Sequence, residues 1–396
     1  MTHEPRPPQV PAEAEGGGGG HMTRGSVLVV GAYSVDLVLR ELAGPVAFGA
    51  EVWAGDLGMV PGGAFTPAMG LRRLGREVVW AADFGTDVFS QEVLAAARAE
   101  GIDERGFRHH PGPVRNVTVA LSQPQDRAMI AYEDPVTARP LAELIDAFRP
   151  AALMLPFLQY GPGVSAALDV ASRCGTRVFM DCQDYAGHLG MPEVREVLAK
   201  VDVFAPNEPE ALRITGAADA QEALDVLAAL VPTVIVKRGS AGAIAAAGSV
   251  RAARTAPRVP VVDTTGAGDC FNVGFLHRWL DDAPLADCLS AGIACGTASV
   301  TGPGSSTALD ASGLRAWLQR RETETETEMG RETETETETG RETAGRLPGD
   351  EGPRDGRRRD GDATPGTSPG PGKIVVAAVP DVSGAAHGRE GRPALD

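Results

Sequence analysis

Short, continuous apolar runs that alternate with amphipathic segments constrain the fold of this chain more than any other feature. The apolar runs are SVLVVG (26–31), AALMLP (151–156), RVFMDC (177–182), VDVFAPN (201–207) and TVIVKRG (233–239). Segments with helical spacing of apolar residues lie among them, at 91–101, 163–175 and 220–231. Strands that are apolar throughout are buried on both faces. The pattern therefore predicts an α/β fold, with a doubly wound, mostly parallel sheet covered by helices on both sides.

One stretch departs from this alternation. The segment VRNVTVALSQPQDRAMIAYED (114–134) alternates polar and apolar residues on both sides of a Gln-Pro-Gln-Asp turn, a pattern typical of two antiparallel strands. Together with the loose segment 40–60, it is expected to form a small sheet apart from the main one. A sheet that projects from an α/β core is suited to act as a β lid over a substrate.

The globular pattern extends over residues 25–318, and the two ends differ from it. Residues 1–24 are mostly Pro, Glu and Gly, and residues 319–396 include the repeat RETETETEMG–RETETETETG. Alternating Glu and Thr offer no apolar face to a helix or to a strand, so ordering the chain gains no burial energy. We expect a disordered N-terminal extension and a disordered low-complexity tail.

Charge and cysteine content narrow the classes of partner. The chain has 37 Lys and Arg against 53 Asp and Glu, a net charge of −16, whereas binding to nucleic acid or anionic membranes requires clustered basic residues. The five cysteines form no CxxC pair, and no apolar stretch reaches the length of about 18 residues that a membrane helix needs. The N-terminus lacks the apolar segment of a secretory signal. We expect a cytoplasmic protein without nucleic-acid or membrane partners.

The segment VPVVDTTGAGDCFNVGFLHRWL (259–280) is the most informative for chemistry. It predicts an apolar strand ending at Asp263, a glycine turn, and a helix that begins near Asp269. Gly266 and Gly268 let the backbone approach a ligand and point its N–H groups inward. Because the start of a helix carries partial positive charge, the loop is predicted to bind an anion.

Asp269 allows two interpretations. A carboxylate beside a bound phosphoryl group can act as the base that takes a proton from an attacking hydroxyl. The same residues also fit a tight Gly-Ala-Gly turn followed by an acidic helix cap.

The segment DTTGAGDCFNVGFL (263–276) closely resembles the C-terminal signature of the ribokinase-like (PfkB) carbohydrate kinases. Five further segments resemble motifs of this family in the family's order: GAYSVDLV (31–38), PGGAFTPAMGLRRLG (61–75), FGTDVFSQEVLAAARAEGID (84–103), PNEPEAL (206–212) and VKRGSAGA (236–243). The resemblance spans residues 26–306. It implies a ribokinase-like fold and an ATP-dependent phosphotransferase that phosphorylates a hydroxyl of a sugar or sugar-like metabolite.

The resemblance also implies residue roles. Asp269 is the general base, and the backbone N–H groups of Gly266, Ala267 and Gly268 form the anion hole. The residues matched to ATP binding are Asn207, Lys237, Gly239, Ser240 and Gly242. Glu210 matches the residue that holds Mg²⁺ through water. Those matched to substrate binding are Asp36, Gly62, Gly63 and Thr66. Asp263 and Thr265 match positions that bind a monovalent cation, such as K⁺, in many members.

The sequence departs from the family on the sugar side. Thr66 stands where the family has a sugar-contacting Asn, and LMLPFLQY (153–160) offers only Gln159 where many members place a carboxylate. Asp181 and Asp184, which follow the strand 177–182, fit either a metal site or a helix cap. The motifs that resemble the phosphate-binding part of the family are unaltered, whereas those that resemble its sugar-binding part are altered. This combination favours an active kinase with an unusual substrate.

Two alternatives stay open at this point. A nucleoside kinase on the same fold needs an aromatic platform for the base, for which Tyr33, Trp53 and Phe65 are candidates. A non-catalytic sugar-sensing regulator is the other alternative, although a pure binder gains nothing from a carboxylate in an anion hole. By analogy with the fold, a homodimer formed through the lid is also expected.

Overall fold

Two β-sheets organise the chain in the computed structural model, which describes residues 26–122, 127–183 and 186–321. The strands are β1 (Val27–Val30), β2 (Tyr33–Leu42), β3 (Ala54–Gly63), β4 (Val78–Phe84), β5 (Phe107–His109), β6 (Asn116–Ser122), β7 (Arg127–Glu133), β8 (Ala152–Leu155), β9 (Arg177–Met180), β10 (Val203–Phe204), β11 (Thr233–Lys237), β12 (Ala243–Ala247) and β13 (Val250–Arg254). The expected extension over 1–24, the expected tail from 322 on and the Gln-Pro-Gln-Asp turn lie outside the described residues. Residues 319–321, which the sequence assigned to the tail, are helical.

Helices fill the connections between the strands. They are α1 (Phe65–Arg73), α2 (Val88–Ala99), α3 (Leu141–Phe148), α4 (Pro162–Cys174), α5 (Pro192–Leu198), α6 (Glu208–Thr215), α7 (Ala220–Ala228), α8 (Ala267–Trp279) and α9 (Leu285–Ser299), followed by α10 (311–321). Two short 3₁₀ turns occupy Glu104–Gly106 and Gly239–Ala241. Within the described ranges, no helix is long and apolar enough to cross a membrane.

The larger sheet has nine strands in the order β13-β12-β11-β10-β9-β8-β1-β4-β5. Seven of them, from β11 to β5, pair in parallel, while β12 and β13 add an antiparallel edge. From β1 the chain first builds one side of the sheet through β4 and β5, and later returns to build the other side from β8. The order therefore reverses between β1 and β8, which confirms the predicted doubly wound, mostly parallel sheet.

Two apolar cores lie on opposite faces of this sheet. Residues of α1, α2, α8, α9 and α10 pack on one face, and residues of α3 to α7 pack on the other. Because both faces are covered, the strand residues are buried on both sides, as at Leu28 and Val29, which are fully buried on successive positions of β1. This burial explains why the sequence runs are apolar throughout rather than alternating.

The smaller sheet has four strands in the order β3-β2-β6-β7. Strand β2 pairs antiparallel with β3 and parallel with β6, and β6 pairs antiparallel with β7. Strand β2 begins three residues after β1 ends, so the chain passes directly from the main sheet into the small one. We call this small sheet the lid.

Tyr33 anchors the root of the lid in the main core. Its ring stacks on Phe84 at a centroid distance of 5.3 Å. Its hydroxyl lies 2.8 Å from Ser90 Oγ and donates to the carbonyl of Val114. Burial raises the pKa of Tyr33 to about 12, so the phenol stays neutral and able to donate.

Candidate active site

A cavity opens at the carboxyl ends of the central strands, where the strand order reverses. Its volume is about 1160 Å³. Residues at or just beyond the ends of β1, β8, β9, β10 and β11 contribute to its wall, namely Ala32, Pro156, Asp181, Asn207 and Lys237. Open α/β sheets bind ligands at such a switch point, because the loops after neighbouring strands diverge there and leave a crevice.

The glycine loop before α8 forms one wall of the cavity. Gly266 is the N-cap of α8 and has a φ of 75°, a left-handed conformation that favours glycine. A Cβ atom at this position would also lie 2.4 Å from Ser305 Oγ. Ala267, Gly268 and Asp269 form the first turn, and all four residues line the cavity. The N–H of Ala267 donates to the carbonyl of Thr264 at 3.3 Å. N–H groups at the start of a helix can bind an anion.

The apolar segment before this loop is not a strand, contrary to the prediction from 259–263. The chain leaves the sheet after Arg254, and Val261 and Val262 are 62% and 55% exposed. The N–H groups of Val262 and Asp263 instead donate to the carbonyl of Val300. Pro260 lies within the segment and cannot donate to a strand ladder, which accounts for the difference.

A buried ion pair lies next to the glycine loop. Lys237 Nζ lies 2.9 and 2.8 Å from the two carboxylate oxygens of Asp181. Asn272 on α8 donates from Nδ2 to Asp181 Oδ2 at 2.6 Å, and its Oδ1 accepts from Lys237 at 3.3 Å. Asp181 and Asn272 are 1% and 0% exposed. A Cβ atom on Gly268 would lie 3.5 Å from Lys237 Nζ, so the ammonium group is adjacent to the predicted anion hole.

Sequence reasoning treated Asp181 only as a metal ligand or a helix cap, and it missed Asn272. Asp184, its companion in that prediction, lies outside the described residues. No group of three or more His, Cys, Asp or Glu side chains within the described ranges is arranged to hold a metal. The signal that identifies Asp181 is its position at the carboxyl end of β9, in the same sheet as Lys237 at the end of β11.

Asp269 has a strongly perturbed carboxyl group. Enclosure by protein atoms and the negative charge of Asp181 raise its pKa to about 7, while Lys237 opposes the rise and Asp36 and Glu210 add to it. The N-cap of α8 is Gly266, three positions earlier, so Asp269 is not the cap that the alternative interpretation proposed. A carboxylate with a pKa near neutrality can accept a proton more readily than an ordinary Asp.

Asn207 and Glu210 form a capping box at the start of α6. Asn207 Oδ1 accepts from the N–H of Glu210 at 2.9 Å, and Glu210 Oε2 accepts from the N–H of Asn207 at 2.8 Å. Both residues line the cavity. Burial and the charge of Asp181 raise the pKa of Glu210.

Asn207 and Glu210 are suited to a Mg²⁺ ion that binds together with a nucleotide. Mg²⁺ is usually held by one or two carboxylates, several waters and substrate phosphates, rather than by a complete protein cage. Glu210 supplies a carboxylate at the cavity wall. Four carboxylates, Asp36, Asp181, Glu210 and Asp269, line the cavity beside Lys237, so the site has excess negative charge that a divalent cation would offset.

The turn after β11 contributes to the wall of the cavity. Gly239, Ser240 and Gly242 line it. Gly242 has a φ of 89°, and a Cβ atom there would lie 1.9 Å from the carbonyl oxygen of Arg254. Only glycine therefore fits between this turn and the backbone of residues 254–256.

The lid contributes a polar cluster to the opposite end of the cavity. Ser34 donates to Asp36 Oδ1 at 2.8 Å and lies 3.2 Å from Thr118 Oγ1. These three residues and Gly63 line the cavity, and Asp36 is 7% exposed. A Cβ atom on Gly62 would lie 2.7 Å from Asp36 Oδ2, so Gly62 leaves the room that this carboxylate occupies.

Thr66 lies elsewhere. It is 3% exposed, in the first turn of α1. A Cβ atom on Gly266 would lie 3.3 Å from Thr66 Cγ2. The structure therefore places Thr66 beneath the glycine loop, as a packing residue, instead of in the wall of the cavity.

Two aromatic residues line the cavity, Phe157 and Phe271, and Phe157 is the more exposed of the two. The sequence analysis did not identify Phe157. It is 38% exposed and lines the cavity together with Pro156 and with Met129 of the lid. Tyr33 and Phe65 are 1% and 6% exposed within the core, and Trp53 is exposed outside the cavity wall. The candidate platform for an apolar ring is thus Phe157 rather than the three residues suggested by sequence.

The geometry can be compared with known proteins. The family model described as pfkB family carbohydrate kinase matches residues 24–312. A cytidine kinase from Thermococcus kodakarensis is 38% identical over 103 residues, which cover 25% of this chain and 37% of that protein. A ribokinase from Lactococcus lactis is 27% identical over 265 residues, which cover 66% of this chain and 86% of that protein.

A solved structure shows the same fold. The structure of Arabidopsis thaliana ribokinase complexed with ribose and ATP superposes with a TM-score of 0.62 at 20% identity, and the match covers 75% of this chain and 99% of that one. At this identity the likeness establishes the fold alone.

The perturbed carboxyl group of Asp269 leads to a direct prediction. In ¹³C spectra of Asp-labelled protein, one carboxyl carbon should titrate near pH 7, and its signal should be missing from Asp269→Asn. Asp181→Asn should move this midpoint to lower pH, because it removes a negative charge that raises the pKa. A midpoint near 4 in the wild type would contradict the proposed electrostatics.

Proposed function

This chain belongs to the pfkB family of carbohydrate kinases, and we propose that it transfers the γ-phosphoryl group of ATP to a hydroxyl of a sugar or sugar-like metabolite. The cavity supports this assignment because it joins three surfaces in one space. Residues of the turn Gly239–Gly242, of the loop Gly266–Gly268 and of the lid, including Asp36, all line it. In this proposal they would contact the nucleotide, the transferred phosphoryl group and the acceptor, respectively.

The observation that carries the proposal is the position and pKa of Asp269. Its carboxylate stands in the first turn of α8, beside the backbone donors that would stabilise a phosphoryl group. A binding protein for anions would gain nothing from a negative charge there, which speaks against a non-catalytic regulator. A base that must take a proton at neutral pH needs a pKa near 7, which is where the surroundings place it.

The proposed reaction is an in-line displacement. The substrate hydroxyl oxygen forms a bond to the γ-phosphorus as the bond to the β–γ bridging oxygen breaks, and ADP leaves. Asp269 takes the hydroxyl proton, and the N–H groups of Gly266 to Gly268 face the charge on the transferred group. Mg²⁺ held near Glu210 would offset phosphate charge when bound. Lys237, fixed by Asp181, adds a positive charge next to the loop.

The lid supports the proposal in a second way. Asp36, Thr118 and Met129 lie on lid strands, whereas Asp269 lies on the main body, yet all of them line one cavity. A substrate bound between them would be shielded from bulk water. Exclusion of water limits wasteful hydrolysis of ATP during transfer.

Phe157 and Met129 favour a nucleoside as a second candidate for the substrate. They place apolar surface beside the polar cluster of Ser34, Asp36 and Thr118, an arrangement that suits a ribose joined to a planar base. The partial likeness to a cytidine kinase points the same way. Stacking of a base on an aromatic ring contributes roughly 1–3 kcal/mol, enough to separate nucleosides from free sugars.

We predict that incubation with ATP·Mg²⁺ yields ADP and a phosphate ester with at least one member of a panel of pentoses, hexoses and nucleosides. If the acceptor carries a base, Phe157→Ala should raise its KM about tenfold and leave the KM for ribose within twofold, because only the base contacts the ring. Steady-state kinetics on both substrate types measures this difference.

Trp53→Ala is the matched control, since it removes an aromatic ring that is 71% exposed outside the cavity. It should leave both KM values unchanged. Turnover of free sugars alone, with no effect of Phe157→Ala on any KM, would reject the nucleoside assignment and retain the sugar kinase. Absence of transfer to every acceptor would reject the proposed function.

The outer face of the lid supports the expected homodimer, which we propose forms by contact of two lids. Leu57, Met59, Ile130 and Tyr132 are 47–65% exposed, and the strand register places them on one face, opposite Asp36. In a twofold arrangement, each copy presents the same apolar patch to the other. Such an arrangement would cover the outer face and leave the cavity side of each lid to the substrate.

Sedimentation velocity at micromolar concentration tests this assembly. The wild type should sediment as a dimer, and Ile130→Lys should sediment as a monomer, because a charge within the patch would have to be buried. Val250→Lys alters an equally exposed apolar residue on the far edge strand β13 and should remain dimeric. A monomeric wild type would contradict the proposed dimer.

A further inference from the structure

Asp263 stands at the start of the loop that leads to the anion hole. Its Oδ1 accepts from the N–H of Thr265, and its Oδ2 accepts from the N–H of Gly304, both at 2.9 Å. Both oxygens of the Asp263 carboxylate are therefore tied to the backbone of the loops that flank it.

Arg40 of the lid supplies a cation near this carboxylate. Its Nη2 lies 3.9 Å from Asp263 Oδ2, and its Nη1 lies 2.5 Å from Asp56 Oδ2. Nη2 is buried and has no hydrogen-bond partner within the described ranges. A Cβ atom on Gly58 would lie 3.0 Å from Nη2, so the missing side chain at this position makes room for the guanidinium group.

The lid also contacts the loop that contains Gly304, whose N–H donates to Asp263. A Cβ atom on Gly304 would lie 3.1 Å from Val60 Cγ2 of β3. Arg40 and Val60 thus approach Asp263 and its partner Gly304 from the same sheet. The guanidinium group spans from the lid carboxylate of Asp56 to the body carboxylate of Asp263.

We propose that Arg40 takes the place of a monovalent cation at Asp263, so that this kinase needs no K⁺. The inference rests on the proposed function. A K⁺ ion on Asp263 would lie next to a guanidinium group of the same sign. Arginine is suited to this role because its planar group holds charge permanently and donates several hydrogen bonds.

Arg40 would act as a positioning residue, since it reaches the anion hole only through the loop. Asp263 accepts a hydrogen bond from the N–H of Thr265. The next residue, Gly266, is the N-cap of α8. Shortening the Nη2–Oδ2 distance by about 1 Å would bring it to hydrogen-bonding range. A lid that moved by this amount on binding substrate would draw Arg40 onto the loop, which couples substrate binding to the phosphoryl site.

Steady-state kinetics in KCl and in choline chloride, at equal ionic strength, tests the proposal. The wild type should give kcat values within twofold in the two salts. Arg40→Met should lose at least tenfold in kcat in choline, and K⁺ or guanidinium ions should restore part of it. Arg40→Lys, which keeps the charge, should remain independent of K⁺. Arg98→Met removes an exposed arginine far from the loop and should match the wild type.

A second measurement does not depend on turnover. K⁺ should raise the melting temperature of Arg40→Met but not that of the wild type, because a ligand that binds only the folded state stabilises it. Activation of the wild type by K⁺, a K⁺-dependent rise in its melting temperature, or an Arg40→Met variant with full activity in choline would overturn the proposal. Failure of the kinase assignment itself would show as no turnover with any acceptor, and the melting data would still test Arg40.

Discussion

The ion pair between Lys237 and Asp181 is the interaction on which the candidate site depends. It joins the ends of β11 and β9 beneath the glycine loop, and Asn272 attaches it to the helix that carries Asp269. Removing one partner from a buried pair leaves an uncompensated charge, which typically costs about 3–5 kcal/mol. The pair thus holds the loop in place. The negative charge of Asp181 raises the pKa of Asp269, and the positive charge of Lys237 lowers it.

The doubly wound sheet explains how residues distant in sequence reach this cluster. Asp181, Lys237 and Asn272 lie on three separate segments, but the carboxyl ends of β9 and β11 point to the same edge of the sheet. The first turn of α8 lies over that edge. Asp36 of the lid lines the same cavity, because its strand, β2, begins only three residues after β1 ends. The fold therefore brings the polar cluster of the lid, the glycine loop and the turn after β11 together at one switch point.

Much of this could be predicted from sequence, because local patterns determine local structure. Continuous apolar runs identified the buried strands, and the glycine spacing at 266 and 268 identified the turn before a helix. Asp181 could not be assigned in the same way, since its pairing with Lys237, 56 residues later, depends on strand order. Likewise, Thr66 matched a motif position but lies under Gly266. Phe157 lines the cavity, although the sequence analysis singled out only Gln159 from this segment. The contact of Arg40 with Asp263 depends on the placement of the lid, which no local pattern encodes.

Asp269 is the proposed general base, and the kinetics of Asp269→Asn measure this role. General-base assistance typically contributes about 10²–10⁴-fold, so kcat should fall at least 100-fold. Affinity for ATP, measured by titration calorimetry, should hold or improve as a negative charge leaves the phosphate site. Asp287→Asn is the matched control, because Asp287 also lies in the first turn of a helix, α9, but outside the cavity. A folded Asp269→Asn variant that binds ATP and turns over within a few-fold of wild type would contradict the account.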